Sequence, residues 1–286
     1  MFSKNSSYTL VYNGISYGKN NSLLSGKKKM KLFCFTIDDN IRFLQELTEG
    51  KYESLFSHPY TGLLKKLHDK YGVKMQLNLF YQNESFTLAQ TTEKYRGEWA
   101  QNADWLKLSF HSRLANVRPY ERSGYDEVFR DCNAVHKEIL RFAGRESLGK
   151  TTTVHYCLTT NEGTRALKDN GVQGLLGLYG TDNEPRISYS CSLEESKRAR
   201  GGEIVRYGNL AFSGIDIVLN NHKPQEIVSM LHGLRDRELV KIMIHEQHFY
   251  SDWHIYYESD YAVRIGSAVE FLQSQGYESR FFEEII

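Results

Sequence analysis

Between Lys31 and Phe282, short apolar runs alternate with amphipathic helical segments seven or eight times. Helix-length connections imply parallel strands, because a tight turn reverses the chain and only a crossover restores its direction. Such strands are buried on both faces and read as continuous apolar runs. The stretch Lys31-Leu-Phe-Cys-Phe-Thr-Ile-Asp38-Asp39-Asn40 fits that description, with six apolar or β-branched residues running straight into two carboxylates. Neither a linker nor a break in composition divides residues 31–286, so the expected architecture is one α/β domain, a (β/α) barrel. Residues 1–30, rich in Ser, Asn, Gly and Lys, read as an extended N-terminal arm, and about 180–210 as an irregular insertion.

The pattern predicts helices over Ile41–Leu47, from Pro59 to a stop at Gly72, weakly over Leu88–Trp99, and most clearly over Tyr125–Ala143. A short helix capped by Thr160 or Asn161 follows, and two more begin near Pro224 and Tyr261. Strands are expected at Val73–Tyr81, Asp104–His111, Thr151–Leu158, Val172–Tyr179, Ile215–Leu219, Leu239–His245 and around Ser279–Phe282. His68 and His136 lie off or beside the apolar helix stripes and are expected at the solvent surface. Gly171, Gly174 and Gly177 have the wrong spacing for a dinucleotide fingerprint and lie within a strand.

With 36 basic and 35 acidic residues, the net charge of +1 gives no reason to expect nucleic acid or an anionic membrane as partner. Cys34, Cys132, Cys157 and Cys191 show neither a C-x-x-C pair nor zinc-ribbon spacing, and read as small core residues in a reducing compartment. No apolar run approaches the ~18 residues of a membrane span, and no signal peptide is evident, so a cytoplasmic protein is expected.

In parallel barrels the functional groups gather where the strands end. The strongest strands here end in, or near, Asp38-Asp39, His111, His155 and His245. Side chains alternate along a strand, so Asp38 and Asp39 are expected to point different ways, one toward a cation and the other toward a substrate. The structural alternative is that Asp39-Asn40 merely caps the next helix, and that each histidine is a satisfied core residue. Asp and His converging from separate strands suits a divalent ion such as zinc, with an open position for water.

Phe-Thr-Ile-Asp38-Asp39, then Ser-Phe-His111-Ser, then Ile-Met-Ile-His245-Glu246, taken in order, resemble the motifs of the polysaccharide deacetylase superfamily, the NodB-homology fold of carbohydrate esterases. The resemblance spans about residues 31–284 and implies an irregular, TIM-like (β/α)7 barrel. It also implies metal-dependent removal of acetyl groups from a small-molecule or oligosaccharide substrate. By position, Asp38 resembles the general base, Asp39 the metal carboxylate, His111 the first histidine ligand and His245 the histidine that protonates the leaving group.

The chain also departs from the family. Ala115 stands where a second histidine ligand is usual, Asn40 replaces the glycine after the paired aspartates, and Arg118-Pro119-Tyr120 comes too early for the arginine-proline motif. His155 is therefore the candidate third ligand, with Asn116 and His248 as alternatives, and Glu246 or another carboxylate is the candidate partner that orients His245. Two competing readings are a metal-independent glycosidase pairing Asp38 with Glu246 or Asp216, and a carbohydrate-binding protein without turnover on the same fold.

Overall fold

A computed structural model describes residues 30–115, 117, 120–177, 189, 191–207 and 210–286. The expected arm, Asn116, Arg118 and Pro119, and much of the 180–210 segment lie outside the described residues.

Among the described residues there are ten strands: β1 (Lys31–Asn40), β2 (Met75–Gln82), β3 (Leu106–Leu114), β4 (Thr151–Thr152), β5 (Gly174–Leu176), β6 (Val205–Tyr207), β7 (Leu210–Ser213), β8 (Ile217–Val218), β9 (Leu239–His245) and β10 (Tyr277–Ser279). The same residues form eight α-helices: α1 (Arg42–Glu49), α2 (Pro59–Tyr71), α3 (Arg96–Gln101), α4 (Tyr125–Phe142), α5 (Asn161–Asp169), α6 (Leu193–Arg200), α7 (Pro224–Gly233) and α8 (Tyr261–Ser274). One sheet runs β3-β2-β1-β9-β8, all parallel, and β10 joins β1 beside its N-terminal half. A second sheet runs β4-β5-β7-β6, of which only β6 is antiparallel. The two meet at a seam, where Leu148 bridges Leu108 in parallel and Leu108 exchanges backbone hydrogen bonds with Ser147 and Gly149. The whole is an irregular (β/α) barrel.

The alternation along β1 decides what lies on each side of this wall. Phe33, Phe35 and Ile37 belong to the large core shared with Leu44, Leu64, Val269 and other helix residues. Cys34, on the opposite face, packs with Leu176, Ala211, Leu239 and Phe282 from other strands and the C-terminal segment. Strand β2 repeats the scheme: Leu77 and Leu79 join the large core, while Gln76 and Asn78 share the other face, all essentially buried. Polar residues on such a strand therefore face the barrel interior and not water.

Local signals set several helix ends. In α2, Pro59 occupies the first turn, the His58 Nδ1 atom accepts from Tyr60 N–H, and Gly72 closes the helix at φ 63°, a left-handed angle that favours glycine. Helix α4 carries Asp126 and Glu127 in its first turn, against the positive end of its dipole, and buries Val128, Cys132, Val135, Ile139 and Phe142. His136 is buried beside this stripe at 7% exposure, not at the solvent edge, because α5 packs on that side. His68 is half-buried and stacks on Trp105 at 4.3 Å. Strand β4 is only two residues long, so His155 sits in a following one-turn segment, with Tyr156 and Cys157 at φ 60° and 55°. In the described part of the 180–210 segment, α6 has a capping box formed by Ser192 and Glu195. Among the described residues, no helix is long and apolar enough to cross a membrane.

Candidate metal centre

The end of β1 departs from regular pairing. Thr36 and Ile37 oppose Gln76 and Leu77, but Asn40 opposes Leu79, so Asp38 and Asp39 together face the single residue Asn78. This is a β-bulge, and Asp39 completes it at φ 62°, an angle that costs a non-glycine residue free energy. A second bulge lies on β3, where Leu79 pairs with Phe110 and Phe80 with Ser112, leaving His111 without an opposing residue. Extra residues bend the strands and re-aim the side chains at the bulge. Strict alternation therefore does not send Asp38 and Asp39 apart: they take different direct partners, yet both carboxylates lie in the field of His111 and His245.

Asp39 Oδ1 is 2.9 Å from His111 Nε2 and 3.3 Å from His155 Nδ1, and the two imidazole nitrogens are 3.0 Å apart. These three atoms form a group within 4.8 Å of one another, with side-chain exposures of 14%, 3% and 11% for Asp39, His111 and His155. The His111 tautomer follows from its other partner. Nδ1 faces the Thr153 carbonyl, which can only accept, so in the neutral ring Nδ1 carries the hydrogen and Nε2 presents a lone pair. That lone pair points at a carboxylate oxygen and a second imidazole nitrogen. Electron pairs converging in this way need a proton or a cation between them, and the donor set, one carboxylate and two imidazoles, fits a divalent ion.

The surroundings hold the cluster in place. Gln247 Nε2 donates to Asp39 Oδ2 at 2.9 Å, and Phe80 presents its ring to both imidazoles at 5.1 and 4.9 Å. Burial opposes ionisation of Asp39, but its contacts with the His111 and His155 imidazoles prevail and hold its carboxyl well below the usual range. Burial likewise works against the charged form of His111, yet the Asp38 charge and the Asp39 hydrogen bond raise its pKa. For His155 burial wins, helped by the His111 charge, and the pKa falls.

Asp38, 1% exposed, is pushed up by burial despite His111, His245 and a 2.6 Å hydrogen bond from Asn78. Its register partner on β9 is His245. Asn220 Oδ1 lies 2.8 Å from His245 Nδ1 and fixes that nitrogen as the donor, so Nε2 is the atom free to exchange a proton.

Glu246 does not orient His245. Its carboxylate accepts from the N–H groups of Ile41 (2.7 Å), Arg42 (3.2 Å) and Phe43 (2.8 Å) and from the Tyr250 hydroxyl (2.9 Å), capping α1 from across the chain. Burial pushes its pKa up to about 7 against those four donors. The cap expected from Asp39-Asn40 is thus supplied by Glu246. Asn40 serves the bulge instead: its Nδ2 donates to the carbonyls of Ile37 (2.6 Å) and Asn78 (3.2 Å), and its Oδ1 accepts from Tyr60.

Neither carboxylate of the glycosidase alternative is available to pair with Asp38. Glu246 is committed to the helix, and Asp216 is bound to Arg237 and Lys241, with Lys241 four residues (~13 Å) back along β9 from His245. His248 stands outside the three-atom cluster, with its ring 6.2 Å from that of His245. Asn78, Gln247 and Asn220 escaped the sequence reading, and Asn40 was marked there only as a helix cap and a departure from the motif. The one local signal was Gln76 and Asn78 on alternate positions of an otherwise apolar strand.

No family model matches the chain, and no curated protein matches it. Solved structures do. A 4-alpha-glucanotransferase from Thermococcus litoralis superposes with a TM-score of 0.55 at 10% identity, over 90% of this chain and 40% of the other. A Mycobacterium smegmatis protein assigned as a polysaccharide deacetylase gives 0.54 at 11% identity, over 92% and 91%. A CE4-family pseudoenzyme from Bacillus anthracis gives 0.49 at 10% identity, and this chain spans 65% of its length. At such identities the likeness shows the fold alone. The chain has a divergent polysaccharide deacetylase-like fold.

Proposed function

We propose that this chain, folded like the polysaccharide deacetylases, is a metal-dependent hydrolase that removes an acetyl group from a small carbohydrate-like substrate, or cleaves a related non-peptide C–N bond. The observation that carries this reading is the convergence of Asp39 Oδ1, His111 Nε2 and His155 Nδ1 within 4.8 Å, beside Asp38 and His245. A divalent ion such as zinc, bound by those three atoms, would polarise the acyl oxygen and bring the pKa of a water toward neutrality.

The protein groups supply the rest. Gln247 holds the second oxygen of Asp39, so that carboxylate offers a single atom to the ion. Asp38, buried and without an ammonium or guanidinium partner among the described residues, accepts the proton of the attacking water. His245, steadied by Asn220, returns a proton through Nε2 to the departing nitrogen or oxygen. Four free cysteines, three of them buried, agree with a cytoplasmic location and hence with a soluble sugar derivative as substrate.

The test is hydrolysis of a panel of N- and O-acetylated sugars by zinc-loaded protein, with chelator and with the Asp39→Ala variant as controls. Acetate release that both controls abolish is expected. Release that survives chelation, or cleavage of glycosidic bonds in its place, would sink the proposal.

A further inference from the structure

A chain of buried amides runs from the seam of the barrel to Asp38. Thr151 begins it: its carbonyl accepts from Gln76 Nε2 (2.9 Å) and from Ser109 Oγ (2.6 Å), and its hydroxyl donates to Gln76 Oε1 (2.9 Å). Gln76 Nε2 also donates to Asn78 Oδ1 (2.8 Å), and Asn78 Nδ2 donates to Asp38 Oδ1 (2.6 Å). Gln76, Asn78, Ser109 and Thr151 are each at most 2% exposed. Gly149 makes room for the arrangement, since a Cβ there would sit 3.0 Å from Gln76 Oε1.

The direction of this chain is forced. A backbone carbonyl can only accept, so the Gln76 group facing Thr151 O must be its NH2. The second hydrogen of that NH2 requires an acceptor, which makes the near end of Asn78 its oxygen. Asn78 must then present its own NH2 to Asp38. One main-chain carbonyl thus dictates the orientation of two side-chain amides, and neither can flip without leaving buried groups of like kind, acceptor against acceptor or donor against donor, face to face.

We infer that Asn78, oriented by Gln76 and Thr151, is a positioning residue that fixes the Asp38 carboxylate with a neutral donor on one oxygen. This rests on the role proposed for Asp38. The hydrogen bond pins one oxygen and sets the plane of the carboxylate beside the metal centre, while adding no positive charge near the histidines. Displacing a reacting group by about 1 Å can cost on the order of 100-fold in rate.

The experiment has two arms. In protein labelled with 15N at Asn and Gln side chains and free of metal, the Asn78 NH2 is expected to exchange with water at least 100-fold more slowly than exposed amides. Thr151→Val, which removes only the hydroxyl that holds Gln76 Oε1, should speed that exchange. An Asn78 amide exchanging as fast as exposed ones overturns the inference. This arm decides the inference even where no acetylated sugar is turned over and the proposed function itself falls.

On a sugar that is hydrolysed, Asn78→Asp keeps the shape and the Gln76 hydrogen bond but sets two carboxyl groups against each other. It should lower kcat about 100-fold and leave KM and zinc affinity near those of wild type, while the melting temperature falls because a carboxyl replaces a buried neutral amide. Unchanged kcat in Asn78→Asp would overturn the inference, as would a kcat loss accompanied by an equal loss of zinc affinity.

Discussion

Replacing Asn40 by glycine, the residue the deacetylase motif would place there, should destabilise this protein and weaken its metal centre. Asn40 is fully buried, and its amide donates to the Ile37 and Asn78 carbonyls and offers an acceptor to the Tyr60 hydroxyl. Asn40→Gly removes all three contacts. A buried polar group left unpaired costs about 1–3 kcal/mol; water entering the vacated space brings each toward the low end. Adding about 1 kcal/mol for the flexibility of glycine gives a loss of about 4 kcal/mol. Urea unfolding in the presence of chelator measures this without any contribution from bound ion. Asn40→Asp, which sets a carboxylate oxygen against two carbonyls, should cost at least as much. Because the bulge that Asn40 braces sets the φ of Asp39, zinc affinity should fall in both variants. A metal-free Asn40→Gly protein within 1 kcal/mol of wild type would refute the claim that this amide holds the bulge.

Removing a metal ligand should abolish binding: Asp39→Ala or His111→Ala is expected to lose zinc on gel filtration and the rise in melting temperature that zinc gives wild type, where saturation at 100 times Kd is worth about 2.7 kcal/mol. His136, buried and pushed down from 6.5 to about 4, stays neutral in the native state while the unfolded chain takes up a proton. Stability should therefore be lost as pH falls from 6.5 to about 4, by about 3 kcal/mol relative to His136→Leu, in urea titrations at several pH values. Glu246 acts with the opposite sign. Its carboxyl, raised from 4.5 to about 7, keeps its proton after the unfolded chain has released it, so wild type should lose about 3 kcal/mol as pH rises through that window and Glu246→Gln should not. Glu246→Ala, which strands the N–H groups of Ile41, Arg42 and Phe43 at the start of α1 and the Tyr250 hydroxyl, should cost about 3–5 kcal/mol and appear as lost helix-end protection in hydrogen exchange.

Much of the architecture was legible because it rests on local periodicity. The apolar run of β1, the stripe of α4 and the proline and glycine that bound α2 each encode their element within a few neighbouring residues. Position at the strand ends also marked Asp38, Asp39, His111, His155 and His245. What the sequence could not carry is pairing register and long-range hydrogen bonding. Two bulges override the alternation that would separate Asp38 from Asp39, and they exist only because β1 and β3 are each one residue or more out of step with β2. The cap of α1 comes from Glu246, more than 200 residues away, and the partner of His245 comes from Asn220 on a separate turn. Polar residues on a strand look alike whether they meet water or a barrel axis, so Gln76 and Asn78 gained meaning only once the sheet had curved around them. Local chemistry chose the strands and helices; strand register and contacts distant in sequence decided which lone pairs meet.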